Sequence, residues 1–260
     1  MMEAIRSESN LVIAKRVVGA LILRDVRTRS GRSFFGFLKA IVVPFIHLAL
    51  VITIYTILGR VAPIGTDTIT FLGLGVVPFI LFMYPARMIM SALSENRPLL
   101  FFPNITALGI IAARAVTEAI AACAVCSILI ATLILMGHEF SPHDNVMLLF
   151  AFLSAVCLGV VFGLFNATIA LVFPTWQFAF NVSLSAFYAC SGLMFLPDML
   201  PAAIRNALAY DPLLHCVEWV RVAYYEQYTS YSLSIPYLFW FICAMLLAGL
   251  GLERYLRRIL

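Results

Sequence analysis

Six stretches of about twenty apolar residues run through this chain, over 38–58, 69–93, 105–136, 146–172, 177–196 and 234–252. A helix of that length crosses the hydrocarbon layer of a bilayer. Lipid offers no partner to an unpaired backbone group, so stretches that enter it must be helical. Composition closes off the soluble alternative: 63% of residues are apolar and only 12% are charged, too few charges to coat a surface facing water. Intrinsic disorder, a secreted disulfide scaffold and an ordinary cytosolic enzyme are excluded together. The sequence therefore predicts an all-α integral membrane protein, one membrane domain over 1–260 with six transmembrane helices. Pro44, Pro78 and Pro85 fall inside the first two spans, where each removes one ladder hydrogen bond.

Charge orients these spans. With the N-terminus inside the cell, all of the 17 Lys and Arg residues fall on the inner side except Arg60, Arg205 and Arg221. Both termini are then cytoplasmic. The polar start, Met1 to Asn10, lacks the apolar core of a cleaved signal segment, so the mature chain is expected to keep it. Three segments outside the spans carry further information. Over 10–30, Leu11, Val12, Val18, Leu21, Ile22 and Val26 interleave with Lys15, Arg16, Arg24 and Arg27 at helical spacing. That pattern predicts an amphipathic helix on the inner leaflet, attracted by anionic headgroups. The short inner loop Ser94–Pro103 sets Glu95, Asn96 and Arg97 beside Leu99, Leu100 and Phe101, predicted to be exposed, a mixture suited to docking a partner. On the outer side, 197–233 contains Asp211-Pro212, a helix start with Asp as cap and Pro in the first turn. Two short outer helices are expected there, dipping back into the interface as a re-entrant segment between spans five and six.

Ala155, Gly159, Gly163 and Ala167 form a small-residue stripe in span four, which lets another helix approach within the chain or across a dimer. Catalytic and metal-binding patterns are missing. No Gly-Lys pair occurs, so the chain carries no phosphate loop, and it has no HExxH or GxSxG. Cys123 and Cys126 have CxxC spacing but sit in an apolar run and read as packing residues. His138, Glu139, His143 and Asp144 read as a solvated loop, His47 as packed or pore-facing, and His215 as a helix-surface residue. Arg114 and Glu118, four residues apart, are the candidate ion pair within the membrane. Among the aromatics, Tyr84, Trp176 and Tyr188 join the interfacial candidates, and such rings also stack on sugars.

Three stretches carry a resemblance: Phe173-Pro174-Thr175-Trp176, Ser191-Gly192-Leu193-Met194-Phe195-Leu196-Pro197, and Asp211-Pro212-Leu213-Leu214-His215-Cys216-Val217-Glu218-Trp219-Val220-Arg221. Together with the layout, they make the chain resemble the permease subunit of type-2 ABC exporters, in the KpsM-like, capsular-polysaccharide branch. Where that family has Asn-Pro-Leu-Leu-His, this chain has Asp211; both residues cap helices. The resemblance implies a homodimer in the bacterial inner membrane bound to two copies of a separate ATPase, which holds the ATP and Mg. It implies a lipid-linked acidic polysaccharide as cargo, a periplasmic adaptor and an outer-membrane export protein as further partners, and no nucleic acid. Residues Glu95, Asn96, Arg97, Leu99 and Leu100 would couple to the ATPase. Tyr84, Arg87, Trp176 and Tyr188 would face the channel, because spans one, two and five line the dimer interface in such exporters. Arg24, Arg27, Arg29, Arg32 and Lys39, near the inner surface, would meet the acidic cargo or membrane lipid. Exporters of O-antigen, teichoic acid, lipids or drugs share the layout. An ATP-independent membrane enzyme or scramblase would need a polar catalytic cluster that the sequence lacks.

Overall fold

The computed structural model describes residues 10–30, 34–65, 67–102, 104–138 and 140–258. Nine α-helices account for most of them: α1 (Asn10–Ser30), α2 (Phe34–Ile57), α3 (Thr68–Glu95), α4 (Ala107–Leu135), α5 (Asn145–Val172), α6 (Trp176–Cys190), α7 (Ala202–Leu208), α8 (Pro212–Tyr224) and α9 (Ile235–Leu256). Short 3-10 helices at Arg97–Phe101 and Pro197–Met199 follow α3 and precede α7. The described residues include no strand.

The helix starts follow from local chemistry. Asp67, Thr106, Asp144, Asp211 and Ser234 each accept backbone N–H bonds from the first turn of α3, α4, α5, α8 and α9. At α8 the expected pairing holds, with Asp211 capping Leu213 and Pro212 in the first turn. Helix ends depend on backbone freedom. The apolar run 177–196 predicts a full span, yet α6 stops at Cys190 after 15 residues. Gly192 has φ +72°, a left-handed conformation that other residues rarely adopt, and it turns the chain out of the helix. Fifteen residues rise only about 22 Å, short of a bilayer core. Hydropathy cannot see this because Leu193 to Leu196 remain apolar after the turn.

Among the described residues, four helices, α3, α4, α5 and α9, are long and apolar enough to cross a membrane. Helix α3 is the axis of the bundle, with Phe71, Phe79, Phe82, Leu72, Ile80 and Leu81 fully buried. Helices α5, α4, α8 and α2 pack around it. Lipid is as apolar as leucine, so helix association here depends on close approach rather than on expulsion of water. The span-four stripe supplies that approach within the chain. A Cβ on Gly159 would lie 2.5 Å from the Phe82 carbonyl oxygen, and one on Gly163 would lie 2.6 Å from the Ile89 Cβ. Helix α9 packs on the other side of α5, where a Cβ on Gly249 would press on Leu164. Its remaining face, with Phe239, Trp240 and Leu247, is exposed.

Two ends of the bundle result. At one, α1 lies beside the end of α3 and the start of α4. At the other, α8 is inserted among α3, α5 and α9.

Candidate functional site

At the α1 end, the chain leaves α3 at Glu95 and makes the 3-10 turn Arg97–Phe101. Arg97 is exposed. Leu99 and Leu100, expected to be exposed, are half-buried and pack on the cluster that includes Leu21 of α1 and Ile110 and Ile111 of α4. The exposed apolar surface is instead carried by Phe101 (87%) and Phe102 (59%), because the 3-10 turn directs its leucines back onto α1 and α4. Asn96 accepts from Arg24 Nη1 at 2.9 Å and donates to the Ala92 carbonyl at 2.9 Å, fixing the turn to α1. Glu95 accepts from Ser91 at 2.6 Å and from Arg114 Nη2 at 2.7 Å.

Arg114, expected to pair with Glu118 along α4, makes contacts between elements. Arg114 pairs with Glu95 of α3 at 2.7 Å and Asp25 of α1 at 3.3 Å. Glu118 is buried on the same helix. Of the expected surface cations, Arg24 and Arg27 are exposed on α1. The side chains of Arg29 and Lys39, and all of Arg32, lie outside the described residues.

Midway along the bundle the expected channel residues separate. Tyr188 of α6 stacks on His47 of α2, ring centroids 5.5 Å apart, and meets Phe79 of α3 edge-on at 4.8 Å. Tyr84 is half-buried in the same apolar cluster, and Arg87 is exposed one turn further along α3. Trp176 turns elsewhere. Its Nε1 donates to Asn166 Oδ1 of α5 at 2.7 Å, and it borders a separate apolar cavity of about 250 Å³ with Phe162, Phe180 and Phe187. Twelve residues along one helix separate Trp176 and Tyr188 by about 18 Å and about a third of a turn, so the two rings do not share one surface.

At the α8 end a second charged network is fully enclosed. Arg221 and Glu218, one turn apart on α8, pair at 2.9 Å with both side chains 0% exposed. Arg221 also donates to the carbonyls of Phe195 and Leu193, each at 2.9 Å, and its guanidinium lies 4.4 Å over the Phe71 ring. Tyr228 donates to the second Glu218 oxygen at 2.5 Å. His215, expected on a helix surface, is 1% exposed because α8 is surrounded on every side. Its Nε2 meets the Ala209 carbonyl at 2.9 Å, and its Nδ1 accepts from the Ser234 N–H at 3.1 Å. Nearby, His138 Nδ1 and Asp67 Oδ2 are 2.7 Å apart. Burial alone would raise the Asp67 carboxyl, but bonds from Thr70 and Ile69 and the charge of His138 outweigh it and hold it below its ordinary value.

No family model matches the chain. Individual relatives do. It is 29% identical over 249 residues to the polysialic acid transport protein KpsM of Escherichia coli, covering 95% of this chain and 96% of the relative. It is 28% identical over 254 residues to the capsule polysaccharide export inner-membrane protein CtrC of Neisseria meningitidis serogroup A, covering 94% and 91%. It is 25% identical over 251 residues to the capsule polysaccharide export inner-membrane protein BexB of Haemophilus influenzae, covering 94% and 92%. The likeness to KpsM extends over nearly the whole length of both chains.

Sequence reasoning missed Asp25, Phe102 and Arg221 as parts of the two ends, whereas His47, expected to be packed or pore-facing, is packed on Tyr188 and Phe79. For Arg221 a signal was present: an arginine three residues after Glu218, in a segment otherwise apolar enough to be buried. For Asp25 none was available, because its partners lie on another helix.

Proposed function

We propose that this protein is the membrane subunit of an ATP-driven exporter of capsular polysaccharide, and the carrying observation is the near end-to-end similarity to KpsM, CtrC and BexB. A second copy of the chain completes the pathway, and a separate ATPase supplies the energy. The α1 end faces the cytoplasm, in keeping with the distribution of the 17 Lys and Arg residues. Helices α2, α3, α4, α5 and α9 make five of the spans and α6 with the apolar turn that follows it makes the sixth, with α7 and α8 as a re-entrant segment; the burial of α8 among α3, α5 and α9 supports that reading. The 3-10 turn after α3 receives the ATPase, with Arg97, Phe101 and Phe102 as its exposed contacts. The seam at Tyr84 and Tyr188 offers the sliding polymer weak aromatic contacts, and Arg87, with Arg24 and Arg27, offers positive charge to an acidic, lipid-linked cargo. A periplasmic adaptor and an outer-membrane export protein complete the route.

The test is purification of the tagged protein from membranes of its own host, paired with an assay of surface glycan. The wild type should carry an ATPase with it. Arg97→Glu should remain in the membrane yet lose most surface glycan, because a repulsive charge then stands in the docking surface. Absence of any ATPase from the purified wild type, together with unchanged surface glycan on deletion of the gene, would sink the proposal.

A further inference from the structure

Three separate elements meet at one guanidinium. Arg114 lies in the second turn of α4, Asp25 near the end of α1, and Glu95 closes α3. Arg114 is 6% exposed and Asp25 13%, while Glu95 remains 51% exposed. An arginine withdrawn that far from water needs opposing charge, and a planar guanidinium can hold two carboxylates at once. Every oxygen of the two acids is engaged. Asp25 Oδ1 pairs with Arg114, and its Oδ2 accepts from Thr117 at 2.9 Å. Glu95 Oε2 pairs with Arg114, and its Oε1 accepts from Ser91. The next residue, Asn96, is bound by Arg24 of α1. The exposed Phe101 and Phe102 follow within two turns of chain.

We infer that Arg114 is a positioning residue that clasps the surface helix α1 and the start of α4 to the end of α3, so that a push on the 3-10 turn moves all three as one body. The inference rests on the coupling role proposed above for that turn. The Arg24–Asn96 bond and apolar contacts around Leu21 also join α1 to the turn, but neither is an ion pair between α3 and α4. Without the clasp, force at Phe101 and Phe102 would displace the turn more than α1 and α4.

The test uses the whole protein with its ATPase in lipid nanodiscs and in proteoliposomes. Spin labels at Leu23→Cys on α1 and Ile120→Cys on α4, both exposed sites, are placed in a background free of other cysteines. The unaltered clasp should give one narrow distance distribution. Arg114→Gln should broaden it and lower glycan moved per ATP hydrolysed by about tenfold, within the range of coupling changes single residues produce. The ATPase should stay bound and active. Arg114→Lys keeps a cation within reach of one carboxylate and should recover part of both readouts. Thr117→Val removes the bond to Asp25 and one to the Arg114 carbonyl but leaves both ion pairs of Arg114 in place, so it should broaden the distribution slightly. A distribution that stays narrow in both Arg114→Gln and Thr117→Val, or unchanged glycan per ATP in Arg114→Gln, overturns the clasp. Failure of the wild type to bind an ATPase would instead overturn the coupling role, while the distances still decide the clasp.

Discussion

The two ends of this bundle each bury an arginine, and they bury it differently. At the α8 end, Arg221 is 0% exposed and is tied to a carboxylate on its own helix, to two backbone carbonyls and to the face of Phe71. At the α1 end, Arg114 is tied to two carboxylates on two other helices, and one of them, Glu95, is half open to solvent. A carbonyl cannot leave without moving its strand of backbone, whereas a half-exposed glutamate can swing into water at little cost. The α8 network therefore holds a fixed frame around the end of α6. The α1 network instead ties three elements together through side chains alone.

Breaking each arginine should show the contrast. Arg221→Met leaves Glu218 buried without its cation and removes two bonds to carbonyls, and loss of one partner from such a pair costs about 3–5 kcal/mol. Thermal denaturation in detergent should show a large fall in midpoint, or the protein should fail to accumulate. Adding Glu218→Gln should restore part of the loss by removing the orphaned charge. Folding unaffected by Arg221→Met would erase the distinction between the ends.

A smaller effect separates the glycines of the two ends. Gly75 faces the Leu193 carbonyl that Arg221 also holds, and an added Cβ would sit 2.5 Å from that oxygen. Gly75→Ala should destabilise by about 1–3 kcal/mol, the usual range for overpacking. Gly19 on α1 has no atom within 4 Å of an added Cβ. Gly19→Ala should instead be neutral or gain up to about 1 kcal/mol through helix propensity. Equal losses from the two substitutions, read from paired melts, would show that the α1 end is as tightly built as the other.

The weakest effect concerns acid. Asp67 has a carboxyl pKa lowered in the folded protein, so its stabilising contribution is complete above the ordinary value near 3.8 and is lost as pH falls through the lower, folded value. Acidification below about pH 4 should loosen the start of α3 and its link to His138. Hydrogen exchange at Ile69 and Thr70 should rise in wild type, and Asp67→Asn should remove the pH step. A step that persists in Asp67→Asn would assign it to another group.

Much of the fold could be read along the chain because its physics is local. Span positions depend on runs of apolar residues against a fixed bilayer thickness, and α3, α4, α5 and α9 start and stop within a few residues of the expected limits. Caps are equally local, so Asp211-Pro212 located the start of α8. The α6 end was hidden because a single glycine torsion, not hydropathy, closes the helix. The candidate site was legible in its turn, Glu95 to Phe101, but not in its contacts. Leu99 and Leu100 look exposed on a loop and become half-buried once α1 and α4 fold over them.

What the sequence determined alone is a helical membrane protein with a basic amphipathic leader helix, a charged-and-apolar turn after the second span, and KpsM-like wording near its C-terminal third. Only the tertiary structure decided that the small-residue stripe seats α5 on α3, that Arg114 meets Asp25 and Glu95 on two other helices, and that α8 is buried on all sides with its own ion pair. The reason is range. Hydropathy, capping and turn torsions act within a few residues, so they are written along the chain. A buried charge is satisfied by whichever groups the packing brings within 4 Å, and those can lie anywhere in the sequence.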